Sequence, residues 1–202
     1  MKKIGFIGLG AMGFPIASNL IKAGHMLYVG VHQKRERADS LAQKGAIICN
    51  TYREVASHAD TIFTVVPSEK EVEAVIFGKD GLAHGLRKGS TVIDMSTIDL
   101  TKSREFAARL NDQGVGFLDA PVSGGPQGAS AGTMAIMIGG KREIFERHSE
   151  VFAAIGKTIV YCGGSGLGLA AKMANNLIVA AEMAAISEAI CLAVKAGIDH
   201  YL

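Results

Sequence analysis

The chain opens with Lys3-Ile4-Gly5-Phe6-Ile7-Gly8-Leu9-Gly10-Ala11-Met12-Gly13: a short apolar run, a G-x-G-x-x-G hexapeptide, then a helical pattern through Ile16, Leu20 and Ile21. Glycine-rich turns are common, so the hexapeptide alone carries little. Its position between a strand and a helix is specific. There Gly8 makes the turn, Gly10 lets backbone approach a pyrophosphate, and Gly13 lets helix and strand pack closely. The anion then lies at the positive end of the helix, where free amides point at it. Gly8, Leu9, Gly10, Ala11, Met12 and Gly13 are therefore read as cofactor-binding.

Outward from that turn, β-branched runs alternate with helical stretches. The pattern predicts strands over 3–7, 27–31, 46–49, 61–66, 91–94, 116–119, 134–138 and 158–161. Runs such as Thr61-Ile62-Phe63-Thr64-Val65-Val66 are apolar on both faces, as a sheet covered by helices on each side requires. The fold class expected is α/β, a Rossmann-type mostly parallel sheet with helices on both faces. Thr51-Tyr52-Arg53-Glu54 and Ser68-Glu69-Lys70-Glu71 both fit the capping box that opens a helix.

After residue 163 the pattern changes. Gly163-Gly164-Ser165-Gly166-Leu167-Gly168 is hinge-like, and Leu169 to about Ala196 has no proline, glycine or strand signal. That predicts one long, alanine-rich helix, capped by Gly197 and apolar nearly all round, which must be buried. Residues 1–163 thus read as a dinucleotide-binding domain, and 164–202 as the first long helix of an all-α domain that is incomplete here. A second copy of the chain is the expected cover, making a homodimer or higher homo-oligomer through that helix.

Composition narrows the classes. The chain has 202 residues, 49% hydrophobic and 20% charged, enough to bury a sizeable core. A net charge of +2 offers no electrostatic reason to expect nucleic acid. Cys49, Cys162 and Cys191 lie in neither disulfide nor metal spacing, so no metal is expected. Glycine enters too early for a signal peptide, and Lys172, Glu182 and Glu188 interrupt the longest apolar tract, so no membrane span is expected. A cytoplasmic protein follows. Its 25 glycines exceed the usual ~7%.

The end of the second strand bears on cofactor choice. An acid that binds the ribose 2′-hydroxyl is expected there, about 20 residues past the fingerprint. The sequence instead reads Val31-His32-Gln33-Lys34-Arg35, with Arg37 beyond. His32, Gln33 and Lys34 are assigned to the cofactor, and the basic side chains favour NADP over NAD. Arg37 reads more simply as a solvated charge at the start of a surface helix. Val66-Pro67 and Ser96-Thr97 end strands at the same sheet edge, where open α/β sheets bind ligands. Ser123-Gly124-Gly125 follows another strand end, and its amides and hydroxyl suit a carboxylate; an ordinary Gly-Gly turn is the plainer alternative. Lys172 stands one turn into the apolar helix, with Asn175 and Asn176 at i+3 and i+4. A partly desolvated lysine has a lowered pKa and suits proton exchange during hydride transfer. A surface lysine at a helix start fits the same residues.

Taken in order, GFIGLGAMGFPIASNLIKAG, DMSTI, DAPVSGGPQGASAGTMAIMIGG and GGSGLGLAAKMANN resemble the β-hydroxyacid dehydrogenase family. That family includes 3-hydroxyisobutyrate dehydrogenases and 2-hydroxy-3-oxopropionate reductases. The resemblance covers essentially the whole chain. It implies that Ser123 and Gly124 bind a substrate carboxylate, that Lys172 is the acid/base, that Asn176 or Asn175 assists, and that Thr97 holds the nicotinamide. Glyoxylate or succinic semialdehyde reductases are the alternative, although relatives of that type tend to carry Ser-Gly-Ser-Lys-Lys where this chain has Ser123-Gly124-Gly125-Pro126-Gln127. A 6-phosphogluconate dehydrogenase is disfavoured for want of basic residues to meet the substrate phosphate. A non-catalytic NADP-binding dimerisation module is the reading from a different class, since family members continue through further helices.

Overall fold

The computed structural model describes residues 1–30 and 35–199. The chain alternates β1 (Lys3–Ile7), α1 (Gly13–Lys22), β2 (Met26–Gly30), α2 (Glu36–Ala42), β3 (Ile47–Cys49), α3 (Tyr52–His58) and β4 (Thr61–Thr64). It continues with α4 (Glu69–Phe77), a 3-10 turn (Leu82–His84), β5 (Thr91–Asp94), α5 (Leu100–Asn111), β6 (Gly116–Asp119) and β7 (Val122–Ser123). Last come α6 (Gly125–Ala131), β8 (Met134–Gly140), α7 (Arg142–Arg147), α8 (Ser149–Ala153), β9 (Gly156–Gly163) and α9 (Leu167–Lys195).

The sheet runs β3-β2-β1-β4-β5-β6-β8-β7, with β9 on the other side of β8. β1 to β6 pair in parallel; β8 runs antiparallel to β6 and β7, while β9 is parallel to β8. Consecutive residues pack into two separate cores: Phe63, Ile93 and Leu118 into one, Ile62, Val92 and Phe117 into the other. That is the two-sided burial the apolar runs predict, since neighbouring side chains point to opposite faces of a strand.

Three local features depart from the sequence expectations. The strand ending at Asp119 resumes as β7 past Pro121, whose carbonyl accepts from Met137 N at 3.1 Å; a two-residue strand is too short to leave a periodic signal. At Thr51 the hydroxyl accepts from Glu54 N (3.0 Å) while the Glu54 carboxylate accepts from Asn50 N (2.7 Å), so the box closes one residue early. At Ser68 the hydroxyl accepts from Lys70 N, one residue short of the position the box expects, and donates to the Glu71 carboxylate, which also accepts from backbone at Glu71 and Ser68.

The helix α9 forms as expected, and the rest of the chain covers little of it: within it only Gly168 and Leu169 are buried, which leaves the cover to a second copy, as expected. Leu177 (72% exposed), Ile178, Met183, Ile186 and Ile190 face solvent. By length and composition α9 is long and apolar enough to cross a membrane, with mean hydropathy 2.0 over its most apolar stretch. Lys172, Glu182 and Glu188 are too widely spaced to break that stretch, so the expectation drawn from them does not hold on composition alone.

Candidate active site

Because β1, β4, β5 and β6 are parallel, their C-terminal ends meet along one edge. Gly8 follows β1 there with φ +94°, and a Cβ on it would lie 2.0 Å from the Val65 carbonyl oxygen. A Cβ on Gly13 would fall 1.8 Å from the Gly8 oxygen. Both glycines are therefore demanded by the turn itself. Gly10 differs: nothing lies within 4 Å of where its Cβ would be. It and Ala11 are exposed, Leu9 and Met12 half-buried, and α1 starts with no side-chain cap. Open space before the backbone, at a helix end whose amides lack a side-chain acceptor, fits a pyrophosphate.

Arg37 is not merely a solvated charge. Its Nη1 donates to the Leu9 carbonyl at 2.8 Å, drawing the guanidinium from α2 onto the glycine turn. His32, Gln33 and Lys34 lie outside the described residues.

The next strand ends are stitched together. Asp94 Oδ1 accepts from the Thr64 hydroxyl (2.8 Å) and from Ser96 N (3.1 Å). The Ser96 hydroxyl in turn accepts from Val66 N at 3.0 Å. Ser96 is buried and its hydroxyl is engaged within the protein, so it braces the loop, whereas Pro67 and Thr97 are exposed at the edge. Asp94 is fully buried, and its Oδ2 has no partner among the described residues. Burial pushes its carboxyl up to about 6, against the pull of the bonds from Ser96 and Thr64; the neighbouring Asp119 adds to the rise.

Beyond β6 the chain passes through Ser123 (half-buried), Gly124 (φ +125°) and Gly125 (φ +61°), both glycines exposed. These positive φ values are why glycine stands at both places before α6. The start of α9 reaches the same edge. Asp119 Oδ1 accepts from Gly166 N (2.7 Å) and Oδ2 from Leu169 N (3.0 Å), so a single buried carboxylate holds the first turn of α9. Three residues further on, Lys172 is half-buried, and burial pushes its amine below the ordinary lysine range. Asn175 is half-buried and Asn176 exposed. Among the described residues no cluster of side chains suits a metal ion.

Residues 3–164 match the NAD binding domain of 6-phosphogluconate dehydrogenase, and 166–201 the NAD-binding domain of NADP-dependent 3-hydroxyisobutyrate dehydrogenase. The chain is 46% identical over 197 residues to the 2-hydroxy-3-oxopropionate reductase of Escherichia coli, covering 98% of this chain and 67% of that protein. It is 43% identical to a probable mitochondrial 3-hydroxyisobutyrate dehydrogenase of Dictyostelium discoideum, covering 98% of this chain and 61% of the relative. The structure superposes on that of the Mycobacterium tuberculosis 3-hydroxyisobutyrate dehydrogenase with L-serine. The TM-score is 0.92 at 37% identity, over 99% of this chain and 67% of that one.

The chain belongs to the β-hydroxyacid dehydrogenase family. Its relatives are dehydrogenases and reductases, and its own first 164 residues are an NAD(P)-binding domain. It spans about two thirds or less of the length of these relatives.

Within this β-hydroxyacid dehydrogenase frame, sequence reasoning missed Thr64, Asp94 and Asp119 as site-building residues, and undervalued Arg37. One signal was available: Asp94 and Asp119 each end a strand buried on both faces. A carboxylate at such a place needs donors; Ser96 supplies one from two residues away, and the others come from Thr64, Gly166 and Leu169, brought near only by folding.

Proposed function

We propose that this chain forms the cofactor domain and acid/base helix of an oxidoreductase. It moves a hydride between NADP, in preference to NAD, and a short 3-hydroxy acid or its semialdehyde. The substrate is of the 3-hydroxyisobutyrate or 2-hydroxy-3-oxopropionate class. The division follows the glycine cluster, with 1–163 binding the dinucleotide and 164–202 opening a helical substrate and dimerisation domain.

The observation that carries the proposal is the half-buried Lys172, three residues after Leu169 in a helix whose first turn is bonded to the edge that also bears the glycine turn. The nicotinamide, when bound, accepts or supplies the hydride. In oxidation, neutral Lys172 takes the hydroxyl proton of the substrate; in reduction, its protonated form returns a proton to the oxygen of the forming alcohol. Desolvation lowers the amine below the ordinary lysine range and so eases release of its proton. Asn176 or Asn175 holds the reacting oxygen. Ser123, Gly124 and Gly125 receive the carboxylate, with two exposed glycine backbones and one hydroxyl. Gly8, Leu9, Gly10, Ala11, Met12 and Gly13 carry the pyrophosphate, and Val66, Pro67, Ser96 and Thr97 flank the nicotinamide. Arg37, held at the turn by Leu9, supports the preference for a 2′-phosphate.

The bare apolar face of α9 supports a homodimer, and three free cysteines fit a reducing cytoplasm. Neither nucleic acid nor membrane enters the proposal.

The test is NADPH oxidation against a panel of semialdehydes and glyoxylate, with wild type and Lys172→Ala side by side. The expected result is turnover of a three- or four-carbon semialdehyde acid, lost by at least ~100-fold in Lys172→Ala with NADPH affinity retained. Turnover unaffected in Lys172→Ala would remove the lysine from the mechanism. NADPH binding with no turnover of any substrate would favour the non-catalytic module.

A further inference from the structure

We infer that Asp119 is the positioning residue for Lys172: by holding the first turn of α9 against the end of β6, its carboxylate sets where the lysine amine stands at the sheet edge. The inference rests on the reading of Lys172 as the proton-transfer group.

Both oxygens of Asp119 are spent on one helix start. Oδ1 accepts from Gly166 N at 2.7 Å and Oδ2 from Leu169 N at 3.0 Å, and the residue is 1% exposed. The turn it holds is seated without slack. A Cβ on Gly168 would lie 2.4 Å from the Met137 carbonyl oxygen and 2.8 Å from Gly139 N, and a Cβ on Gly139 would lie 2.6 Å from Asp119 Oδ1. No side chain fits between the helix start, β6 and β8. Past this turn α9 stands largely free of the sheet, with Met173, Leu177 and Ile178 exposed. A rigid helix passes the position of its anchored turn to the next, so the placement of Lys172 is inherited from the turn Asp119 binds. Two other charged groups border the junction. Arg104 of α5 donates from Nε to the Ser165 carbonyl (3.1 Å), and Asp94 stands in register with Asp119 across β5 and β6.

Both Asp119 oxygens are engaged by the start of α9, so its effect must be read at Lys172. Asp119→Asn keeps the shape but offers one acceptor oxygen; its NH2 group confronts a backbone donor, and one of the two bonds is lost. The experiment is competitive labelling of lysine amines over a pH series, read at Lys172 by mass spectrometry. NADPH affinity, kcat and KM are measured beside it. In Asp119→Asn the Lys172 titration moves up toward that of an exposed lysine, because a loosened first turn admits water. Where turnover is present, kcat falls on the order of 10–100-fold, while KM and the Kd for NADPH stay within about twofold. Gly168→Ala is the companion variant: it leaves the carboxylate intact but forces the same turn away from Met137. If Asp119→Asn fails to fold, Gly168→Ala decides alone. A Lys172 titration that superimposes on wild type in the folded variants would overturn the inference. A shifted titration in a protein that turns over no substrate would uphold the positioning role and sink the proposed activity instead.

Discussion

Asp94 and Asp119 face each other in the register of β5 and β6, two buried carboxylates at adjacent strand ends. One gathers the loops after β4 and β5; the other gathers the start of α9. Burial pushes both carboxyls above the ordinary aspartate value, and for Asp94 the nearby Asp119 adds a smaller rise.

The Asp94 carboxyl makes stability depend on pH. Its folded value of about 6 lies above the ordinary 3.8, so between these the folded protein holds a proton the unfolded chain has released. The Asp94 contribution therefore falls as pH rises from about 4 to about 6, and the full penalty, about 2–3 kcal/mol, is present above that. Asp94→Asn keeps an acceptor for Thr64 and Ser96 without the charge. Urea unfolding across this range should show the variant gaining on wild type as pH rises. A difference independent of pH would refute the assignment.

The three fingerprint glycines should separate into two kinds. Gly13→Ala drives a Cβ against backbone at 1.8 Å and should cost about 1–3 kcal/mol of stability. Gly10→Ala meets nothing within 4 Å; it should melt within a few degrees of wild type yet bind NADPH at least about tenfold more weakly. Calorimetry and a fluorescence titration decide it, and equal affinity in Gly10→Ala would contradict a pyrophosphate at that backbone.

Arg37 should discriminate between the two dinucleotides. Its guanidinium is fixed at the Leu9 carbonyl and remains exposed toward solvent. Arg37→Ala should raise the Kd for NADPH about tenfold, close to 1.4 kcal/mol, and leave NADH nearly unchanged. Equal losses for both would assign Arg37 to the turn alone.

The exposed face of α9 should drive self-association. Light scattering should find wild type larger than a monomer at micromolar concentration. Replacing Leu177, Met183 and Ile190 by Gln, which keeps helix propensity, should yield monomers with unchanged NADPH affinity. A well-behaved wild-type monomer would contradict the expectation.

Much of this molecule was legible from local pattern. Strands such as Lys3–Ile7, Thr91–Asp94 and Gly116–Asp119 announce themselves because burial on both faces leaves continuous apolar runs. The glycine turn is partly local: the positive φ of Gly8 and the approach of Gly13 to the Gly8 oxygen act within eleven residues, whereas the approach of Gly8 to the Val65 carbonyl needs the neighbouring strand. Lys172 stood out because a charge in an apolar helix is chemically conspicuous.

The amino-acid order by itself determined the alternation of strands and helices, the glycine turn and the long apolar helix, since these depend on neighbours a few residues apart. Folding alone decided that Asp94 would bind Thr64, that Arg37 would reach Leu9, and that Asp119 would grip a helix starting 47 residues later. It also decided that the rest of the chain would leave the apolar face of α9 uncovered. Hydrogen bonds and burial across such separations depend on which strand ends are brought side by side, and no periodicity along the chain encodes that.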